Sequence, residues 1–97
     1  MHTLITGSSG DIGSRLVPRL NQRDIRVRGV DRDDRDAEEL DSFIRGDLCN
    51  PGTAERAVRG CDQILHLAAA KGDWGISEEE YFRDFLLVTR NVIEAGL

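Results

Sequence analysis

Leu4-Ile5-Thr6-Gly7-Ser8-Ser9-Gly10-Asp11-Ile12-Gly13 is the stretch that decides the fold. A short apolar run enters glycine, and the residues after it take up helical spacing, so a strand ends and a helix begins across one turn. Gly7 permits the tight turn, Gly10 removes the Cβ that would hold a ligand away from the backbone, and Gly13 lets the helix approach the strand. The free N–H groups of the helix start then face an anion, with the positive end of the helix dipole behind them. Ser8 and Ser9 can add hydroxyl donors. With a strand before it and a helix after it, such a turn suits the pyrophosphate of a dinucleotide.

Outward from this turn, Thr3 to Thr6 reads as a strand, Ile12 to Leu20 as a helix and Ile25 to Val30 as a second strand. Pro18 removes one backbone hydrogen bond and is expected to kink that helix, yet the stripe Ile12, Leu16, Leu20 continues through it. The charged segment from Asp31 to Asp36 has no periodicity. A weak helical turn from Ala37 to Leu40 and a short strand from Ser42 to Arg45 follow it. Asn50 caps a helix with Pro51 at its first position, which runs to Arg59 and stops at Gly60. Gln63 to Leu67 is the next strand, and the run Ile64-Leu65-His66-Leu67-Ala68 reads as one buried on both faces.

Ser77-Glu78-Glu79-Glu80 fits a capping box at the head of a long helix. Phe82, Phe85, Leu86, Thr89, Val92 and Ile93 share one of its faces, with Glu79, Arg83, Arg90 and Glu94 towards the other. Strands alternating with helices predict an α/β domain, a parallel Rossmann-like sheet with right-handed crossovers and helices on both faces.

Asp31 ends the second strand at about the 20-residue separation from the turn expected of an acid that bonds the adenosine ribose hydroxyls. Its charge would repel a 2′-phosphate, which favours NAD over NADP. Arg32 complicates the choice, because a guanidinium there could pair with that phosphate, lie over the adenine, or simply be solvated.

The 97 residues suffice for one compact core. A net charge of −5 is unsuited to nucleic acid or an anionic membrane surface. Neither a signal-peptide pattern nor a membrane-spanning run is present, and the two cysteines, Cys49 and Cys61, are in no metal-ligand spacing. A cytoplasmic protein with reduced thiols and no bound metal is expected. His66, lone within an apolar strand, is expected to be a packed, hydrogen-bonded core residue, and Cys61 to be inert.

The turn Thr6-Gly7-Ser8-Ser9-Gly10-Asp11-Ile12-Gly13, the acid Asp31, the pair Asp47-Leu48 and the segment His66-Leu67-Ala68-Ala69 together resemble the extended short-chain dehydrogenase/reductases. Within these, the chain looks most similar to the NAD-dependent epimerase/dehydratase group that acts on nucleotide sugars. The resemblance implies that Gly7, Gly10, Asp11, Ile12 and Gly13 surround the pyrophosphate and that Asp31 meets the adenosine ribose. It further implies that Asp47 and Leu48 meet the adenine, and that Leu67, Ala68 and Ala69 line the path to the nicotinamide ribose. Crossover handedness and the resemblance both give the strand order 3-2-1-4, half of a doubly wound domain.

Members of that family react through a Tyr-x-x-x-Lys pair, the lysine lowering the tyrosine's pKa. Here the one tyrosine, Tyr81, is followed four positions on by Phe85, and the one lysine, Lys71, precedes it. The last helix departs from the family's Asn-Val-x-Gly-Thr-x-Asn run, keeping Thr89 and Asn91 but carrying Phe85 at the first Asn, where it can simply be core. The chain therefore reads as an N-terminal cofactor-binding portion without catalytic residues. A stand-alone nucleotide-binding or redox-sensing module and a non-catalytic remnant are the alternatives. The edge strand from Gln63 to Leu67 and the apolar stripe of the last helix are expected to make a symmetric homodimer.

Overall fold

The structure is a computed structural model that describes residues 1–33, 40–68 and 77–97. Its elements in chain order are β1 (His2–Thr6), α1 (Asp11–Asn21), β2 (Arg26–Asp31), β3 (Ser42–Arg45), α2 (Pro51–Val58), β4 (Gln63–His66) and α3 (Glu78–Gly96). The helical turn expected from Ala37 to Leu40, apart from Leu40 itself, lies outside the described residues, as do Ala69 and Lys71.

The strands form one sheet of order β3-β2-β1-β4, and every pairing is parallel. Parallel neighbours need a crossover, and here the crossovers supply the covering layers. Side chains alternate across β1: Ile5 joins Val17 and Val27 in a cluster with α1, whereas Leu4 joins Val30, Leu48, Ala54, Ala57, Val88 and Val92 under α2 and α3. Helices thus cover both faces. Leu4, Ile5, Val27 and Val30 are wholly buried, and each contributes about 1.5–3 kcal/mol through removal from water.

Gly13, Leu16, Val17 and Leu20 turn α1 towards the sheet, so the helix continues through Pro18 to Asn21 as one element. Ile12 is not in that stripe as expected but is 63% exposed beside the glycine turn, because the residues around it have turned Gly13 towards β1. At the far end of the sheet, the Arg28 guanidinium donates to the carbonyls of Ala57 (2.9 Å) and Arg59 (2.5 Å), tying the C-terminal end of α2 to β2.

Two further expectations need correction. The strand from Gln63 onward is not buried on both faces: Leu65 is 37% exposed on the α1 side, because α1 lies over β1 and β2 and no described element packs over β4 there. On α3 the buried line is Val88, Asn91 and Val92, set against α2 and the sheet. Phe82 (63% exposed), Phe85, Leu86 and Ile93 face outward instead, so Phe85 is not a core residue.

Candidate functional site

All four strands run in one direction, so their carboxyl ends emerge along one edge of the sheet. That edge gathers the turn after β1, Asp31 at the end of β2, Asp47 and Leu48 beyond β3, and Leu67 and Ala68 beyond β4. In an open parallel sheet this is where a ligand lies.

The turn is fixed to its neighbours on both sides. Gly7 N–H donates to the Val30 carbonyl (2.9 Å), and Gly7 has φ +71, a left-handed conformation that a side chain would strain. A Cβ on Gly7 would lie 3.0 Å from the backbone of Ala68, so the glycine also brings the ends of β1 and β4 together. A Cβ on Gly13 would lie 2.5 Å from the Gly7 carbonyl oxygen, which makes Gly13 the packing glycine. Gly10 differs, because its Cβ would meet only the Gly7 carbonyl oxygen, at 3.3 Å, and it faces the open side.

Gly10 is also the N-cap of α1 and brings no capping side chain. Ser14 N–H donates back to the Gly10 carbonyl, but no side chain caps the N–H groups of Asp11, Ile12 and Gly13 ahead of it. The other helices behave differently: Asn50 accepts from Gly52 N–H at the head of α2, and Ser77 from Glu80 N–H at the head of α3. An uncapped helix end leaves N–H donors that can receive an anion, and the exposed Ile12 offers apolar surface beside them.

The two serines are turned inward. Ser8 Oγ is buried against Gly29, whose missing Cβ leaves it room, and has no hydrogen-bond partner among the described residues. Ser9 Oγ donates to the Asp33 carbonyl (2.7 Å), and Ser9 N–H donates to Asp31 Oδ2 (2.9 Å). The second oxygen of Asp31 accepts from Arg32 N–H (2.7 Å) and Asp33 N–H (3.3 Å). One carboxylate therefore ties the glycine turn to the loop after β2. Arg32 is exposed, and its carbonyl accepts from Arg45 Nε (3.2 Å).

Asp47 is exposed and accepts from Cys49 N–H through Oδ1 (2.9 Å), whereas the Leu48 side chain is buried in the core. Behind this turn stands Asn91 of α3, a buried amide whose Nδ2 donates to the carbonyls of Leu48 (2.8 Å) and Cys49 (3.1 Å). At the other side Thr6 Oγ1 accepts from Leu67 N–H (3.0 Å) and Ala68 N–H (3.1 Å) and lies 2.7 Å from His66 Nδ1. His66 Nε2 reaches Thr89 Oγ1 (3.3 Å), and burial holds its pKa below the usual 6.5. Sequence reasoning assigned no role to the Thr6 hydroxyl or the Asn91 amide. The only sequence signals were a threonine closing the strand and an asparagine kept in the last helix.

Cys49 and Cys61 are free thiols. Burial first, and Asp47 second, push Cys49 up to about 11, and burial raises Cys61 as well, so both stay protonated near neutrality. Among the described residues no helix is long and apolar enough to cross a membrane.

A parallel α/β sheet whose first turn is an uncapped, glycine-lined helix start belongs to the dinucleotide-binding class of fold. Residues 3–97 match the model of the NAD dependent epimerase/dehydratase family, and the chain belongs to that family. It is 34% identical over 96 residues to a 2-alkyl-3-oxoalkanoate reductase of Shewanella oneidensis, a match that takes in 97% of this chain and 24% of that protein. Among solved structures it is similar to a short-chain dehydrogenase/reductase superfamily protein of Agrobacterium tumefaciens with bound NAD, with TM-score 0.83 and 26% identity, covering 99% of this chain and 29% of the other. It is likewise similar to the UDP-glucose 4-epimerase of Thermus thermophilus in complex with NAD, with TM-score 0.80 and 30% identity, covering 98% and 33%. The chain thus spans about a quarter of the length of the reductase it matches.

Proposed function

We propose that this chain binds NAD as the cofactor-binding portion of an epimerase/dehydratase-type oxidoreductase. The observation that carries the reading is the Asp31 carboxylate, which meets the glycine turn through Ser9 N–H and so makes the acid and the anion cradle one site. The backbone of Gly10, Asp11, Ile12 and Gly13 would hold the pyrophosphate, and Asp31 the adenosine ribose. Asp47 and the Leu48 backbone would border the adenine, and Leu67 and Ala68, with Ala69 beyond the described residues, the path to the nicotinamide ribose. Bound there, the nicotinamide supplies a hydride acceptor or donor, and this chain's part is to bind and orient it.

Asp31 makes NAD the preferred form, since its charge opposes a 2′-phosphate. Titration calorimetry with NAD, ADP-ribose and NADP tests this. Tighter binding of the first two is expected, with modest affinity throughout. Equal or tighter NADP binding would mean that Arg32 dominates, and no binding of any of the three would overturn the reading.

Cys49 and Cys61, half-buried with raised pKa values, are unsuited to thiol redox chemistry, and a cytoplasmic setting belongs to the same reading. The same reading pairs the chain with a second copy. The outer backbone of β4, unpaired among the described residues, and the outward stripe Phe82, Phe85, Leu86 and Ile93 can meet their own images across a two-fold axis.

A further inference from the structure

We infer that His66 is a positioning residue, held in a single neutral tautomer by Thr6, and that it sets the Leu67–Ala68 backbone against which the nicotinamide half of the cofactor lies. The inference rests on the cofactor reading above for what that backbone meets, and on hydrogen-bond counting for the rest.

A threonine hydroxyl has two lone pairs and one proton. Both lone pairs of Thr6 Oγ1 are taken by the N–H groups of Leu67 and Ala68. Its proton must therefore go to the third neighbour, His66 Nδ1. Nδ1 is then the bare nitrogen, Nε2 carries the hydrogen, and Nε2–H donates to Thr89 Oγ1. The opposite tautomer would aim a third N–H at an oxygen with no lone pair left and would strand the Thr6 proton in a wholly buried side chain. Thr6 is in β1, His66 in β4 and Thr89 in α3, so one chain of polar atoms joins three elements at the edge where the site lies. Among the described residues the Leu67 and Ala68 amides are held by Thr6 alone, Leu67 N–H also making a longer bond to the Thr6 carbonyl (3.3 Å).

The sidedness of this arrangement supplies the test. His66 acts on Leu67 and Ala68 through Thr6, whereas the adenosine side is held separately by Asp31 and Asn91. Loss of His66 should weaken NAD and leave AMP alone, whereas general loosening would weaken both. Two-bond proton–nitrogen NMR correlation on the parent is expected to show His66 protonated on Nε2 and bare on Nδ1. In calorimetry, the ratio of NAD to AMP affinity should fall about tenfold in His66→Leu, the usual cost of losing an orienting hydrogen bond. His66→Asn places an acceptor oxygen near the Nδ1 position and should restore most of the ratio. An Nδ1–H tautomer overturns the inference, and so does a ratio unmoved by His66→Leu or an Asn variant no better than Leu. If the Leu variant does not fold, the parent tautomer and the Asn ratio still decide it. A parent that binds AMP but not NAD, or neither, overturns the assignment of Leu67 and Ala68 to the cofactor path, and in the second case the function proposed above as well.

Discussion

Glycine does three separate jobs within one turn, and substitution separates them. Gly10→Val adds a side chain on the open side, so circular dichroism and melting should stay close to the parent while calorimetry loses NAD binding. Gly13→Val places atoms where the Gly7 carbonyl oxygen already sits, so stability should fall by the overpacking cost of about 1–3 kcal/mol or more, or the fold be lost. Histidine adds a pH dependence with a definite sign. His66 and His2 both have folded pKa values below 6.5, His66 through burial and His2 through burial and then Arg28 and Arg26. The unfolded chain therefore takes up protons first as pH falls, so stability should decline below about pH 6.5 and be level with respect to these groups above it. Thermal melts across pH 5 to 8 read this directly, and His66→Asn should shallow the decline. The roles of Gly7 and Gly13 were legible in the sequence because spacing alone carries them. The inward turn of Ser8 and Ser9 was not, because it depends on Gly29 and Asp33 arriving from elsewhere in the chain.

Elements were legible wherever periodicity was strong, and least so at β4 and α3. The apolar run at Ile64-Leu65 says that the strand is hydrophobic, but only the reach of α1 decides which face is covered. In α3 the sequence marks Phe82, Phe85, Leu86, Thr89, Val92 and Ile93 as one face, but contact with α2 and the sheet buries Val88, Asn91 and Val92, of which that stripe held Val92 alone, and leaves Phe82 and Phe85 outside. Asn91 is the polar member of that line and earns its place by donating to two carbonyls of the Asp47–Cys49 turn. Asn91→Leu fills the space but strands both carbonyls, which should cost about 2–3 kcal/mol and lower the melting temperature by roughly 10 °C. The same change should weaken AMP, the reverse of the pattern expected at His66. Arg28→Met should be milder, near 1 kcal/mol by chemical denaturation, since it removes the cap from the C-terminal end of α2 and leaves the sheet intact.

At the scale of the whole molecule, the helices on both faces follow from the alternation of elements and the single hand of parallel crossovers, and the strand order from that hand together with the family resemblance. Association is a different kind of question, set by which surfaces are left uncovered. Sedimentation equilibrium at micromolar concentration should find a dimer. Leu65→Lys, which puts a charge on the exposed face of the edge strand, should return it to monomer. A monomeric parent, or a dimer indifferent to that lysine, would contradict the pairing through β4. By itself the 97-residue chain should turn over no nucleotide sugar with NAD, since Tyr81 has Phe85 rather than lysine four positions on.

The bonds that join β1 to β4 also govern the order in which the molecule assembles. Thr3 to Gln63, Thr6 to His66 and His2 to Asp62 are contacts between partners 60 positions apart, and each closes a long loop before it returns any stabilisation. By contrast, β1, α1 and β2 can form from adjacent chain. On a ribosome the glycine turn would emerge early and wait for its fourth wall. In refolding, β4 and α3 should therefore dock after the β1-α1-β2 unit, on the millisecond-to-second scale of mixed topologies. Pulse-labelled hydrogen exchange would see protection at Ile5 and Val30, whose amides face across the β1–β2 pairing, before protection at Leu65 and Val92, and the reverse order would point to nucleation at the long-range pairing.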